Sequence, residues 1–292
     1  MSRFVRALRK AGGLSTSGAP VASPDSSGGL SNAGAGGHGA AVQGLLDEGG
    51  LTLLSAPPWE GGVPTGERLA ASELGPLLPP TVPSKIIGVA KNYREHAKEM
   101  AGEVPAEPVL FFKPPSSLLA PGGSVSLPEG VERTDFEAEL GVIIGRRVRS
   151  ASLQEAARAV CGYTVVCDIT ARDYQKRDRL WTRAKGFDGF CPVGPWVVLA
   201  GAPDASDEAR VIPGAEELGI ELRQNGELRQ AGNTRDMVFS VPTIIAFAST
   251  FMTLEPGDLI ATGTPHGVGP LASGDAIAIA IERVGELSFS VA

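Results

Sequence analysis

The sequence predicts a β-rich α+β fold, on three observations. Glycine and proline, at 38 and 23 residues, make up about a fifth of the 292-residue chain, which favours many short strands and turns over a helix bundle. Near the C-terminus Ile277, Ile279 and Ile281 alternate with alanine, and Leu287, Phe289 and Val291 alternate with polar residues. This is the period of a half-buried strand. Convincing helical stretches are few and short. Hydrophobic residues are 42% and charged residues 20%, ordinary globular usage.

The elements follow in order. Met1–Lys10 is basic, but no apolar stretch of signal-peptide length follows, so no secretory signal is expected. Residues 11–40 hold nine glycines and six serines and read as a flexible insertion that cannot bury enough surface to offset its ordering entropy. Val42–Leu46 and Leu51–Ser55 flank an Asp-Glu-Gly-Gly turn and read as a hairpin. The proline-rich stretch 56–84 reads as a linker. Ile86–Val89 and Val109–Phe112 read as buried strands, with helical character between them over Asn92–Met100. Phe136–Ile144 reads as one long strand. Ser152, with Glu155 three residues on, caps a helix to Val160. Tyr163–Cys167 is a further buried strand, and Asn225-Gly226 marks a hairpin. Ser240 opens a helix whose Ile244, Ala248 and Phe251 share a face. Leu259–Thr262 and the alternating segments complete the chain.

Charge and composition exclude several function classes. Lys plus Arg is 26 and Asp plus Glu is 33, a formal net charge of −7, which argues against nucleic-acid binding through bulk charge. No apolar run reaches the roughly 20 residues of a membrane helix. Three cysteines, Cys161, Cys167 and Cys191, form no CxxC and suit a reducing, cytoplasmic setting. With only three histidines, any metal is expected on oxygen ligands.

The segment Asp135-Phe-Glu-Ala-Glu139 carries the strongest chemical signal. On a strand, Asp135, Glu137 and Glu139 share one face. Carboxylates so close repel, and a hard cation relieves that repulsion; a solvated acidic face is the competing reading of the same spacing. Asp168 ends an apolar run and suits either an N-cap or a third ligand. Helix over 169–178 places Arg172 and Gln175 on its face. His96 and Glu99 stand three apart, which lets the glutamate orient the imidazole as a base; by spacing alone a salt-bridged surface helix is the simpler reading of the pair. Lys113 and Lys185 interrupt apolar surroundings and either snorkel or meet an anion. In Thr262-Gly-Thr-Pro-His-Gly-Val-Gly269, backbone amides and Thr264 suit a carboxylate, while His266 reads as exposed. The absence of GxSxG disfavours a serine acyl-enzyme.

Taken together, Lys91-Asn-Tyr-Arg-Glu-His96, Phe111-Phe-Lys-Pro114, Asp135-Phe-Glu-Ala-Glu139, Asp168-Ile-Thr-Ala-Arg-Asp173, Asn225-Gly-Glu227 and Thr262–Gly269 occur in the order of the fumarylacetoacetate hydrolase family. Over residues 84–292 the chain resembles that family, nearest its acylpyruvate hydrolase and 2-hydroxyhepta-2,4-diene-1,7-dioate isomerase branches. The resemblance implies a mixed-sheet β-roll for 84–292 and a small N-terminal β domain over 1–80. It implies a homodimer and Mg²⁺ or Mn²⁺ on Glu137, Glu139 and Asp168. It also implies a lid carrying His96 and Glu99, Lys113 and Lys185 as catalytic groups, and Arg172, Gln175 and Thr264 as substrate-binding groups. Asp135 receives no role from it. The expected activity is metal-dependent hydrolysis of a C–C bond in a 2,4-dioxo acid through a metal-stabilised enolate. The alternatives are isomerisation or decarboxylation of related dioates and, more distantly, metal-dependent dicarboxylate binding without turnover.

Overall fold

The structure, a computed structural model, describes residues 1–10, 38–100, 102–200 and 215–292. A 12-stranded mixed sheet forms its backbone. Its central path runs from Arg3–Lys10 through Cys191–Leu199, Val160–Cys167, Ala138–Ile144, Leu259–Ala261 and Ile86–Ala90 to Val109–Lys113 at one edge. Leu259–Ala261 pairs with Ile86–Ala90 in parallel, and most other pairs are antiparallel. A five-stranded sheet, including Gly219–Gln224, Glu227–Asn233, Ala276–Ile281 and Gly285–Val291, packs beside it, and a three-stranded sheet contains Thr134–Phe136. The helices are short: α1 (Arg94–Glu99), α2 (Leu153–Arg158), α3 (Arg172–Arg177), α4 (Thr182–Lys185) and α5 (Val241–Ser249). This is the β-rich mixed-sheet architecture expected from the sequence. No described helix is long and apolar enough to cross a membrane.

Several local expectations hold for the reasons that suggested them. The Ser152 hydroxyl accepts from the Glu155 N–H, and the Glu155 carboxylate accepts from the Ser152 N–H, a reciprocal cap on α2. Asn225 and Gly226 turn the hairpin at φ 54° and 83°, the left-handed pair a tight two-residue turn needs. Ser240 caps α5 by accepting from Thr243.

Other expectations are corrected. The insertion read over 11–40 falls outside the described residues for 11–37, and 38–40 extend the strand His38–Asp47. The proline-rich linker contains two strands, Pro64–Leu69 and Leu74–Leu77. Proline is tolerated because it sits at the start of one and on a short flanking strand in the other, where few ladder bonds are lost. Val109–Phe112 is an edge strand with Val109 and Phe112 exposed. Phe251 lies beyond α5 and is exposed.

The N-terminal strands join the main sheet across the boundary expected near residue 80, with Arg3 opposite Val198 and Phe4 opposite Val197. Phe4, Leu54 and Trp59 pack into the same cluster as Ile86, Ile143 and Val193. Fully burying an aliphatic or phenylalanine side chain, as at Phe4, Ile86 and Ile143, contributes about 1.5–3 kcal/mol.

Candidate active site

The expected long strand is broken at Glu137. Thr134–Phe136 belongs to the small sheet and Ala138–Ile144 to the large one, so Glu137 stands where the chain crosses between them. Phe136, Ala138 and Leu140 face the core, which turns Glu137 and Glu139 to the opposite side. Ala138 pairs with Cys167, and the Asp168 N–H donates to the Glu137 carbonyl at 2.8 Å. That register sets Asp168 beside the two glutamates. Carboxylate oxygens of Glu137, Glu139 and Asp168 lie within 4.8 Å of one another, and all three residues are buried. Asp168 is not a helix cap. The helix starts only at Arg172, after Ala171, because Thr170–Ala171 is held as a strand against Thr134–Asp135.

Cations surround the trio. Lys185 Nζ donates to Glu137 Oε2 at 2.9 Å and to Asp168 Oδ2 at 2.5 Å. Arg172 Nη2 donates to Glu137 Oε1 at 2.6 Å, and its Nη1 to Gln175 Oε1 at 2.8 Å. Its Nε donates to Asp135 Oδ2 at 2.7 Å. Asp135, fully buried, therefore orients the guanidinium that holds Glu137 and Gln175. Arg133 supports Asp135 from outside at 2.7 Å.

The electrostatics divide the trio. Burial pushes the Glu137 carboxyl up, but Lys185, then Arg172, outweigh it and hold the group below the usual carboxylate range. Burial pushes Glu139 well up, and the charges of Asp168 and Glu137 push it further; among the described residues its one direct donor is the Gly263 N–H, at 2.7 Å. Burial works against the Lys185 ammonium, yet Asp168 and Glu137 keep it charged above the ordinary lysine value.

His96 and Glu99 occupy one face of α1, with His96 Nδ1 3.0 Å from Glu99 Oε2. The other carboxylate oxygen, Oε1, accepts the Gly267 N–H at 3.0 Å. Donating the Nδ1–H to this carboxylate leaves Nε2 as the basic nitrogen. Asn92 anchors the approach to this helix: its amide donates to the Thr262 and Phe239 carbonyls, and its carbonyl accepts the Phe239 N–H. Gly263, at φ 98°, permits the contact, since a Cβ there would meet Asn92 Cβ at 2.7 Å.

One cavity of about 150 Å³ gathers Glu137, Glu139, Asp168, His96, Arg172, Gln175, Lys185 and Thr264. It is smaller than the roughly 300–1,000 Å³ pockets of drug-sized ligands and suits a small acid. Lys113, expected to face the ligand, sits behind Asp168 instead and does not line this cavity. Its three donors are used on Asp168 Oδ1 (2.7 Å) and the Lys185 and Ile169 carbonyls (2.6 and 3.3 Å). The amides of the Thr262–Gly269 loop grip this chain's own Glu139 and Glu99. His266 is exposed.

Sequence reasoning missed Gln230, which is fully buried. Its Nε2 donates to Thr264 Oγ1 at 2.8 Å and its Oε1 accepts the Ala138 N–H at 3.0 Å, so it ties the loop to the carboxylate strand. Nothing in the local sequence distinguishes it from the polar residues around it in Glu227–Asn233. It also missed the apolar walls Met100, Phe111 and Trp181. Burial pushes Cys161 and Cys191 up to about 12 and Cys167 well up, so none supplies a thiolate nucleophile.

Residues 85–292 match the fumarylacetoacetate (FAA) hydrolase C-terminal family. A protein of Pyrococcus horikoshii is 48% identical over 213 residues, spanning 72% of this chain and 88% of that protein. The 2-hydroxyhepta-2,4-diene-1,7-dioate isomerase of Mycobacterium marinum is similar in structure, with TM-score 0.77 and 32% identity over 100% of this chain and 98% of that one. The fumarylpyruvate hydrolase of Pseudomonas aeruginosa, solved in complex with Mn²⁺ and pyruvate, gives TM-score 0.63 and 32% identity over 71% of this chain and 88% of that one. A buried carboxylate trio beside a histidine–glutamate pair, on this β-rich frame, agrees with those likenesses: the chain belongs to the fumarylacetoacetate hydrolase family.

Proposed function

We propose that the protein is a divalent-metal-dependent hydrolase that cleaves a C–C bond in a 2,4-dioxo acid of the acylpyruvate type. The observation that carries this reading is one small cavity holding both an all-oxygen acidic trio and a histidine with a carboxylate on its second nitrogen.

The residues fit a hard cation. Three buried carboxylates crowd together, and Glu139 resists ionisation beside the other two. Each carboxylate oxygen already bonded to a cation keeps a second lone pair. Glu137, Glu139 and Asp168 would hold Mg²⁺ or Mn²⁺. When bound, the ion supplies positive charge for the substrate's 2-oxo acid end and for the enolate released from it. The chain's own groups supply the rest. His96 Nε2 takes a proton from water, and the resulting hydroxide attacks the 4-oxo carbon. Lys185, the Gln175 amide N–H and the Thr264 hydroxyl are the donors in the cavity for the oxyanion so formed. The C3–C4 bond then breaks, leaving a carboxylic acid and the enolate of pyruvate, which takes up a proton. Lys113 acts through Asp168 and Lys185 as a positioning residue.

A second reading, isomerisation of an unsaturated 2-hydroxy dioate, has its own support. The isomerase likeness spans the whole chain, whereas the hydrolase likeness covers 71% of it. Assays of acylpyruvates, oxaloacetate and unsaturated dioates with added Mg²⁺ or Mn²⁺ separate the two: hydrolysis of a 2,4-dioxo acid is expected, and isomerisation alone defeats the hydrolase reading.

Chelation tests the metal in either reading. Treatment with chelator is expected to abolish activity and lower the melting temperature, with both restored by Mn²⁺ or Mg²⁺. A ligand at 100-fold its Kd adds about 2.7 kcal/mol to stability. Full activity in chelator defeats the claim. Asp135→Asn is expected to weaken Mn²⁺ binding about 10–100-fold, the usual cost of disturbing a group that orients a metal ligand. Calorimetric titration measures it, and unchanged affinity removes Asp135 from the site.

A further inference from the structure

The cavity wall contains a cation that the mechanism does not use. Lys91 lines it together with Met100, Phe111 and Trp181. The other cationic side chains around the trio are matched. Lys113 and Lys185 pair with Asp168, Lys185 and Arg172 with Glu137, and Arg172 and Arg133 with Asp135. Four carboxylates, Glu139 included, therefore face four cations, and the cluster is neutral by formal charge. Among the described residues the Lys91 ammonium makes no ion pair or hydrogen bond. It is half-buried and lies over the turn after α1, where a Cβ on Gly102 would meet its Nζ at 2.5 Å.

Its backbone is also unusual. Lys91 has φ 56°, a left-handed conformation disfavoured for a residue with a side chain. Such conformations persist where the surroundings over-determine them, and they gather at ligand sites. Here neighbouring Asn92 is held by three side-chain hydrogen bonds and by the Val238 N–H on its backbone carbonyl. An unmatched ammonium between apolar walls attracts a carboxylate more strongly than one in open water. With a divalent ion on the trio, Lys91 adds a further positive charge to the cavity wall, which suits a dianion better than a monoanion.

We propose that Lys91 is a specificity-determining residue that pairs with a second carboxylate at the tail of the substrate, so that the site takes 2-oxo dicarboxylates in preference to 2-oxo acids with neutral tails. This deepens the proposed function and rests on its placement of the 2-oxo acid end at the carboxylate trio.

The test is calorimetric binding to the full-length, Mn²⁺-loaded protein with two probes that carry no 4-oxo group, 2-oxoglutarate and 2-oxopentanoate. The wild type is expected to bind 2-oxoglutarate about ten- to hundredfold more tightly, the range for a hydrogen bond to a charged group. Lys91→Met is expected to erase that preference by weakening 2-oxoglutarate alone, with 2-oxopentanoate held within about twofold. Lys91→Arg is expected to keep it. Equal affinities in the wild type, no binding of either probe, or equal weakening of both by Lys91→Met would each overturn the proposal. Binding as expected without cleavage of any 2,4-dioxo acid would instead sink only the hydrolase reading.

Discussion

His96→Ala is expected to slow hydrolysis of a 2,4-dioxo acid by about 10²–10⁴-fold, the usual contribution of a positioned general base. The imidazole lines the cavity, and its Nδ1 is engaged by Glu99, so Nε2 is the nitrogen available to water. Decarboxylation of oxaloacetate needs no attacking water and is expected to survive the change. Steady-state rates for both substrates, measured on the same preparation with Mn²⁺, decide the matter. Equal losses would show that His96 serves something common to both reactions, such as closing the cavity. Hydrolysis retained within tenfold would remove it as the base. Glu99→Gln is a milder companion, because the Gly267 N–H still holds the side chain in place.

Asp168→Ala is expected to have the largest effect on stability, about 3–5 kcal/mol, the range for breaking a buried ion pair from one side. Its two oxygens satisfy the Lys113 and Lys185 ammonium groups, and all three residues are almost fully buried. Removing the carboxylate strands the Lys113 charge in the interior and leaves Lys185 with Glu137 alone. Urea unfolding at unchanged slope reports the loss as a lower midpoint. Asp168→Asn keeps the shape and is expected to lose less stability while still failing to retain Mn²⁺. A midpoint unchanged in Asp168→Ala would mean that water reaches the two lysines, contrary to their burial.

The parts of this protein governed by short-range rules were legible. The Ser152–Glu155 cap, the Asn225-Gly226 turn and the alternating strands near the C-terminus depend on neighbours a few residues away, and each formed as expected. The His96–Glu99 contact is of the same kind, since three residues on a helix bring two side chains together. The edge position of Val109–Phe112 was not legible, because exposure depends on which strand lies alongside. Nor was the interruption of 134–144 at Glu137. That break arises where one segment pairs with Gly269–Pro270 and Thr170–Ala171 while the next pairs with Val160–Cys167.

The sequence by itself determined the residue types of the candidate site, the shared face of Glu137 and Glu139 and the local pairing on α1, because periodicity and spacing act along the chain. Only the tertiary structure decided that Asp168 joins those glutamates, that Lys113 is turned inward to support it, and that Lys91 has no counter-charge among the described residues. Those outcomes depend on strand register and on the competition among buried charges for partners. Both are settled between residues 35 to 170 positions apart, where no local pattern records them.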